Sequence, residues 1–146
     1  MNIAFFLLPK REVVWVSEKA TLRQTLERME YNRYTAIPVL SEDGEYRATV
    51  TEGDLLWFLK NRPHLTMDQL HKVPLSEVPL RMQNKPVRID AEMTDLISLA
   101  KTQNFVPVVD DTNKFIGIVR RSEIIDYCEK LLMRGGKNET REIREA

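Results

Sequence analysis

An internal repeat is the feature that most limits how this chain can fold. Residues 34–40 align with residues 103–109, and the prolines in the two segments, Pro38 and Pro107, are 69 residues apart (107 − 38). The alignment continues without a gap to residue 56 of the first copy, pairing Asp43-Gly44 with Thr112-Asn113, Tyr46 with Phe115, Val50 with Val119, Asp54 with Glu123 and Leu55-Leu56 with Ile124-Ile125. A match of this length indicates two copies of one structural unit.

Each copy has the pattern of a β-α-β-β-α unit. A short strand precedes an amphipathic helix, and a proline-containing strand, a tight turn, a further strand and a second helix follow. The first helix is marked by Leu22, Leu26 and Met29 in copy one and by Leu96, Leu99 and Ala100 in copy two. The other predicted elements are strands 13–16 and 87–89, strands 46–50 and 115–119, and helices 54–60 and 123–132.

The copies differ in length before the proline-containing strand. Residues 14–17 align with residues 87–90 at an offset of 73 (87 − 14), so the second copy lacks four residues in between. Four residues are close to one turn of an α-helix. The deletion is therefore predicted to shorten the first helix with little rotation of its buried face.

A single unit of about 55 residues buries so little apolar surface that it would be only marginally stable alone. The predicted fold class is therefore α/β (α+β), with two pseudo-twofold-related β-α-β-β-α repeats packed through their sheets. An N-terminal segment is expected to lay Phe5, Phe6 and Leu7 onto this body. The predicted boundaries are residues 1–60 for the first repeat with that segment, 61–79 for a linker with a short helix capped by Thr66, 80–133 for the second repeat and 134–146 for a flexible tail.

The composition argues against several classes of protein. Lysine plus arginine (22) equal aspartate plus glutamate (22), so no net charge attracts nucleic acid or an acidic membrane. The apolar run from residue 3 to residue 8 is far shorter than the roughly 20 residues of a membrane helix and lacks the flanks of a signal peptide. The single cysteine, Cys128, excludes an internal disulfide and favours a cytoplasmic location.

Residues with catalytic or metal-binding potential are isolated in the sequence. His64 and His71 have no third ligand nearby, and Cys128 has no neighbouring base. Nucleophile–base pairs, phosphate-binding glycine loops and metal-ligand spacings are absent. The sequence therefore predicts no enzyme activity, no catalytic residue and no metal site.

Two motifs carry a resemblance to a known family. The string Ala36-Ile37-Pro38-Val39 and the segment 50–55 (VTEGDL) resemble a cystathionine-β-synthase (CBS) domain. Residues 105–110 (FVPVVD) and 117–124 (GIVRRSEI) resemble its second copy. The resemblance implies a tandem CBS pair that senses adenosine-containing nucleotides in the cleft between its repeats and commonly dimerises.

The segment Thr51-Glu52-Gly53-Asp54 follows a strand and begins a helix, and it has two interpretations. In the local one, Thr51 caps the helix and Asp54 accepts a hydrogen bond from the Thr51 N–H, which is a capping box. In the functional one, the helix N-terminus suits a phosphate and the carboxylate accepts hydrogen bonds from two ribose hydroxyls. The resemblance implies that Thr51 and Asp54 contact phosphate or ribose.

The second copy departs from this motif. Arg120 and Glu123 occupy the positions of Thr51 and Asp54, and Arg121 adds a second guanidinium. Glu123 extends its carboxylate one methylene further, whereas Arg120 and Arg121 are either solvated surface charges or partners of phosphate oxygens. We therefore expect two non-equivalent clefts and a ligand with several phosphate charges, such as ATP, ADP or cyclic di-AMP, in preference to AMP.

Adenine is expected in an apolar slot beside the strand that carries each proline, because proline frees neighbouring backbone groups from sheet pairing. Thr35, Ala36 and Ile37 would supply one slot, and Asn104, Phe105 and Val106 the other. Since Ala36 and Phe105 are equivalent, one slot should be roomy and the other filled or stacked. Core packing is the alternative for all six residues and is favoured for Ile37 and Val106.

Two functional hypotheses follow. The first is a regulatory adenine-nucleotide-binding module, a homodimer that signals to a separate effector protein. The alternative is a structural or interaction dimer whose clefts no longer bind a ligand. Neither requires a cofactor beyond the nucleotide itself.

Overall fold

Two sheets, one for each repeat, organise residues 2–145, the part of the chain that the computed structural model describes; side chains are described through residue 135. In chain order the strands are β1 (Leu8–Pro9), β2 (Val16–Ser17), β3 (Ala36–Leu40), β4 (Tyr46–Thr51), β5 (Val87–Arg88), β6 (Phe105–Val109) and β7 (Phe115–Arg120). The helices are α1 (Leu22–Asn32), α2 (Glu52–Lys60), α3 (Met93–Ile97) and α4 (Arg121–Glu145). The first sheet has the order β2-β3-β4 and the second the order β1-β7-β6-β5.

Side-chain caps and turns set the limits of the main elements. Thr21 caps α1 together with Gln24, because the Gln24 N–H donates to Thr21 Oγ1 (3.1 Å) and the Thr21 N–H donates to Gln24 Oε1 (2.9 Å). Helix α1 ends at Arg33, which has a left-handed backbone (φ 58°). The two hairpin turns place Gly44 (φ 82°) and Asn113 (φ 66°) at equivalent positions, which confirms the predicted turns.

The repeats have the predicted element order, but the predicted four-residue deletion is wrong. Val16 pairs with Val39, and Val87 pairs with Val108, in the same parallel register. The offset is therefore 71 (87 − 16), and the second repeat lacks only two residues. Two residues are about half a helical turn, so the deletion rotates the buried face instead of preserving it. The second repeat accordingly has a five-residue α3 followed by the 3-10 turn Leu99–Lys101, whereas α1 has 11 residues.

The two repeats exchange backbone segments. β1 pairs antiparallel with β7 of the second repeat, with Leu8 opposite Ile118. At the equivalent position of the first repeat, the Thr49 N–H donates to the Met82 carbonyl (2.9 Å). The N-terminal segment therefore belongs to the sheet of the second repeat, although it precedes the first repeat in sequence.

The N-terminal segment is anchored by one face of a short 3-10 helix, Ile3–Phe6. Ile3 is fully buried in the core of the second repeat, and Phe6 and Leu7 pack against the same core. Phe5 is 84% exposed, so the prediction that it packs onto the body is wrong. With three residues per turn, Ile3 and Phe6 share a face of this helix and Phe5 lies on another.

A shared core joins the two sheets, as the sequence predicted. Its buried members come from both repeats, and they are Val13, Leu40, Phe105, Phe115 and Ile118. Leu8, Trp15 and Tyr46 pack against this interface core. A backbone hydrogen bond from the Phe115 N–H to the Gly44 carbonyl (2.8 Å) adds a polar link between the repeats.

The linker and the C-terminal segment complete the chain. Thr66 precedes the 3-10 helix Met67–Lys72, as predicted, and its N–H donates to Gln69 Oε1 (3.0 Å), but its hydroxyl donates to Asp68 instead of capping the helix N–H groups. Helix α4 continues to Glu145 through the segment predicted as a flexible tail, which is rich in the helix-favouring residues Glu and Arg. Among the described helices, none combines the length and the apolar character that a bilayer-spanning helix needs.

Gly117→Ala should destabilise the protein, because an added Cβ would lie 2.2 Å from the Leu8 carbonyl oxygen and 2.9 Å from Leu7 Cδ1. We expect a loss of about 2–3 kcal/mol in the free energy of unfolding, measured with urea. Gly135→Ala is the control, since its Cβ meets nothing within 4 Å and alanine favours a helix by up to ~1 kcal/mol. Equal stability of Gly117→Ala and the parent would contradict the close approach of β1 to β7.

Candidate functional site

Two clefts lie between the repeats, and each is lined by residues of both. Cleft 1, of about 460 Å³, combines Thr51, Gly53, Asp54 and Trp57 with residues 81–84, Thr102 and Gln103. Cleft 2, of about 310 Å³, combines Leu8, Val13, Val14 and residues 34–38 with Asn104, Phe105, Ile118 and residues 120–122. Both volumes are in the range of small-molecule sites.

Incomplete strand pairing leaves room for cleft 2. In the described part of the chain, β2 pairs only with Val39 and Leu40 of β3, so the stretch from Ala36 to Pro38 has an unpaired edge on that side. β6 is paired with β5 in the same way, at Val108 and Val109 only. Although β3 and β6 are middle strands, each proline lies on the half of its strand that has a free edge, where a missing backbone N–H is tolerated.

The start of α2 forms one wall of cleft 1. The Asp54 N–H donates to Thr51 Oγ1 (3.1 Å), and the Thr51 N–H donates to Asp54 Oδ2 (3.0 Å), so the predicted capping box is confirmed. Asp54 is 8% exposed. Its Oδ1 has no protein partner among the described residues, and this oxygen can therefore accept a hydrogen bond from a ligand in cleft 1.

The opposite wall of cleft 1 is polar, and sequence reasoning missed it. Gln103 lines the cleft, and its amide bonds to both backbone groups of Lys85: Oε1 accepts from the N–H (2.8 Å) and Nε2 donates to the carbonyl (3.1 Å). Asn84, which is also buried, donates from Nδ2 to Asn104 Oδ1 (3.2 Å). The offset of 71 aligns Asn84 with Val13, a polar-for-apolar difference that would have marked this wall.

Tyr46 links the polar wall of cleft 1 to the first repeat by hydrogen bonds. Its hydroxyl accepts from the Asn84 N–H (2.9 Å) and shares a hydrogen bond with Thr49 Oγ1 (2.7 Å). Burial raises the pKa of Tyr46 above its ordinary value of 10.0, although the hydrogen bonds to Thr49 and Asn84 act in the opposite direction. The phenol therefore keeps its proton throughout the neutral pH range and can donate it to Thr49 Oγ1, while its oxygen accepts from the Asn84 N–H.

Cleft 2 has apolar walls and a cationic rim. Val13, Val14, Ile37 and Ile118 contribute the apolar surface, together with Ala36. At the rim, Arg120 Nη2 lies 3.3 Å from Glu123 Oε1, and both side chains are partly exposed. Arg121 Nε donates to the Gln103 carbonyl (2.8 Å). An apolar slot beside two guanidiniums suits a flat ring that carries phosphate.

The predicted site residues are distributed unequally between the clefts. Thr51 and Asp54 line cleft 1; Thr35, Ala36, Ile37, Phe105, Arg120 and Arg121 line cleft 2. Because Ala36 and Phe105 face the same cleft, the prediction that they separate a roomy slot from a filled one is wrong. Phe105 belongs to the core shared by the two repeats and so reaches the cleft that Ala36 lines.

Two further predicted residues have other contacts. Val106 is fully buried in the core of the second repeat, in agreement with the alternative of core packing. Glu123 bonds to Arg120 at the start of α4. The two aromatic residues of α2 have different surroundings. Phe58 is buried in the core of the first repeat, whereas Trp57 lines cleft 1.

A duplicated β-α-β-β-α unit with two clefts between its copies defines a class of paired-repeat modules. The sequence profile of the CBS domain matches residues 7–61 and again residues 75–130. The chain therefore belongs to the CBS domain family and contains a tandem pair of CBS domains.

Similar proteins share this organisation. A CBS domain-containing protein of Dictyostelium discoideum is 26% identical over 138 residues, which cover 90% of this chain and 95% of that protein. CbpB of Listeria monocytogenes in complex with c-di-AMP superimposes with a TM-score of 0.75 at 18% identity, covering 90% of this chain and 97% of the other. CBSX2 in complex with AMP superimposes with a TM-score of 0.70 at 20% identity, covering 89% and 97%. At these identities the structural matches show a common fold.

The raised pKa of Tyr46 predicts a pH dependence of stability. The unfolded chain loses the phenolic proton near pH 10, whereas the folded chain holds it to higher pH. The contribution of the raised Tyr46 pKa to the stability of the folded chain is therefore complete below about pH 10 and is lost as the pH rises through the folded-state pKa. Tyr46→Phe should reduce this loss, measured as the free energy of unfolding from about pH 8 to about pH 11. Parallel curves for Tyr46→Phe and the parent would show that the hydroxyl is not buried.

Proposed function

We propose that this CBS pair is a non-catalytic regulatory module that binds adenine nucleotides in its two clefts. The observation that carries the proposal is that both clefts are lined by the two repeats together, so a bound ligand contacts both and changes how firmly they are held. The known complexes of this fold with c-di-AMP and with AMP support the choice of ligand class. A change in the contact between the repeats would be the signal to a separate effector protein.

Cleft 2 offers the elements that a phosphorylated purine needs. The apolar surface from Val13, Val14 and Ile37 suits the faces of adenine, and the free edge of β3 offers backbone groups to the edge of the base. Arg120 and Arg121 lie at the rim, where two or more phosphate groups would reach them. This arrangement favours ATP, ADP or cyclic di-AMP over AMP in cleft 2.

Cleft 1 offers a different set of groups. Asp54 presents Oδ1 for ribose hydroxyls, Trp57 supplies an aromatic surface, and Arg81 is the cationic residue of the lining that could bind phosphate. Asp54 is already bonded to the backbone of Thr51, which holds its carboxylate in place before a ligand arrives. Cleft 1 is therefore suited to a nucleoside or a nucleoside monophosphate.

The structural alternative also has an observation in its favour. Glu123, the counterpart of Asp54, is engaged by Arg120 instead of facing an open cleft. Large apolar side chains are exposed on α2 and α4, at the equivalent positions Leu56 and Ile125 and further along α4 at Leu132. Such surfaces mark protein contacts. We infer that they form a homodimer interface, and a single-chain mass by light scattering would contradict this.

Asp54→Ala separates the ligand role of Asp54 from its role as a cap. Losing the cap costs about 1 kcal/mol of stability, whereas losing the hydrogen bonds that ribose hydroxyls donate to the carboxylate should weaken AMP binding at least about tenfold. Asp95→Ala is the matched control, because the Glu92 N–H donates to Asp95 Oδ2 (2.9 Å) in the same capping arrangement on α3, away from both clefts. Calorimetric titration with AMP measures the affinities. Equal AMP affinity for Asp54→Ala and Asp95→Ala would remove Asp54 from the site.

Arg120→Ala combined with Arg121→Ala tests whether these two arginines bind the phosphate groups of a ligand in cleft 2. The double variant should lose little affinity for adenosine and progressively more for AMP, ADP and ATP, because each added phosphate loses a charge-assisted hydrogen bond. The loss for ATP should reach at least about 30-fold. The same calorimetric titration, run with each of the four ligands, measures it. A uniform loss across the ligand series would mean that the arginines do not contact phosphate.

A further inference from the structure

Gln103 connects the two clefts. Its side chain is 6% exposed and lines cleft 1, where it bonds to Lys85, the residue that follows Asn84 on the same polar wall. Its backbone carbonyl accepts a hydrogen bond from Arg121 Nε (2.8 Å), and Arg121 lines cleft 2. One residue is thus bonded on one side to the frame of cleft 1 and on the other to a cationic group of cleft 2.

A second connection ends at the same arginine. Asn84, which is 2% exposed and lines cleft 1, donates to the side chain of Asn104 (3.2 Å). Asn104 lines cleft 2, and its carbonyl accepts from the Arg121 N–H (3.1 Å). Both segments of the second repeat that line cleft 1, one containing Asn84 and the other Gln103, are therefore linked to Arg121 by hydrogen bonds.

The geometry of Arg121 leaves donors available for a ligand. Among the described residues, its guanidinium has one protein partner, the Gln103 carbonyl, which Nε occupies. The fixed fork of a guanidinium lets the two Nη groups bind a phosphate while Nε keeps its own bond. Arg120 differs, because its guanidinium bonds to Glu123 and has no connection to Gln103.

We propose that Arg121 is a positioning residue for cleft 1, through which an anion in cleft 2 strengthens ligand binding in cleft 1. A phosphate held by the Nη groups immobilises the guanidinium, and with it Gln103 and the Lys85 segment. A ligand that enters cleft 1 then meets a wall that is already ordered and loses less conformational entropy. The inference rests on the proposed function, and linkage requires the effect to be equal in both directions.

The test uses the full chain labelled with 5-fluorotryptophan. Trp57 lines cleft 1, so its 19F resonance, assigned with Trp57→Phe, reports occupancy of that cleft; Trp15, in the interface core, gives the second resonance. AMP is titrated without and with saturating pyrophosphate, which has phosphate groups but no base. We expect pyrophosphate to tighten AMP binding at Trp57 at least about threefold. If pyrophosphate instead competed with AMP for Arg81 in cleft 1, it would weaken AMP binding.

Two charge-conserving variants locate the connection. Arg121→Lys keeps the charge but has a single ammonium group, which cannot hold the Gln103 carbonyl in the same way while binding phosphate; the tightening should disappear. Arg120→Lys weakens the binding of pyrophosphate itself, but at saturating pyrophosphate the tightening of AMP binding should remain. Equal tightening in Arg121→Lys, or none in the parent, would overturn the proposal while AMP binding still supports the proposed function. Absence of AMP binding to the parent would overturn both.

Discussion

The close contact between each repeat and the segment that precedes the other is the constraint on which the rest of the structure depends. β1 reaches across to β7, and Met82 reaches across to Thr49 in β4, so neither sheet is completed by its own repeat alone. The first contact requires a residue without a side chain at position 117, because the Leu8 carbonyl occupies the space of a Cβ. With the repeats held in this way, the clefts form where the exchanged segments meet the free strand edges.

The near-symmetry of the fold produces two clefts of different chemistry. Cleft 1 pairs a buried carboxylate, Asp54, with a wall of amide side chains, whereas cleft 2 pairs apolar residues with Arg120 and Arg121. The difference follows from a few substitutions at equivalent positions, such as Asn84 for Val13. A symmetric fold with unequal clefts can hold two ligands, or two parts of one ligand, with different preferences. The hydrogen bonds of Gln103 then connect ligand binding in one cleft with ligand binding in the other.

Local features of the sequence predicted local features of the structure. The capping box at Thr51 and the turns at Gly44 and Asn113 depend on neighbouring residues, and each was predicted. The fold class and the packing of two sheets followed from the repeat. The walls of the clefts depend instead on which segment of one repeat lies against the other. An error of two residues in the upstream offset was enough to hide Asn84, and the repeat alone did not show that Ala36 and Phe105 line the same cleft.

The most direct test of the account is a map of backbone amide chemical shifts in the full chain during titration with ATP. The account predicts that perturbed amides fall in both repeats at once and surround the clefts, including residues 34–38 and 120–122 around cleft 2 and residues 51–54 and 81–84 around cleft 1. Perturbations confined to one repeat, or centred on the exposed faces of α2 and α4, would contradict it. In that case the protein would be a dimerising CBS pair whose clefts do not bind nucleotide.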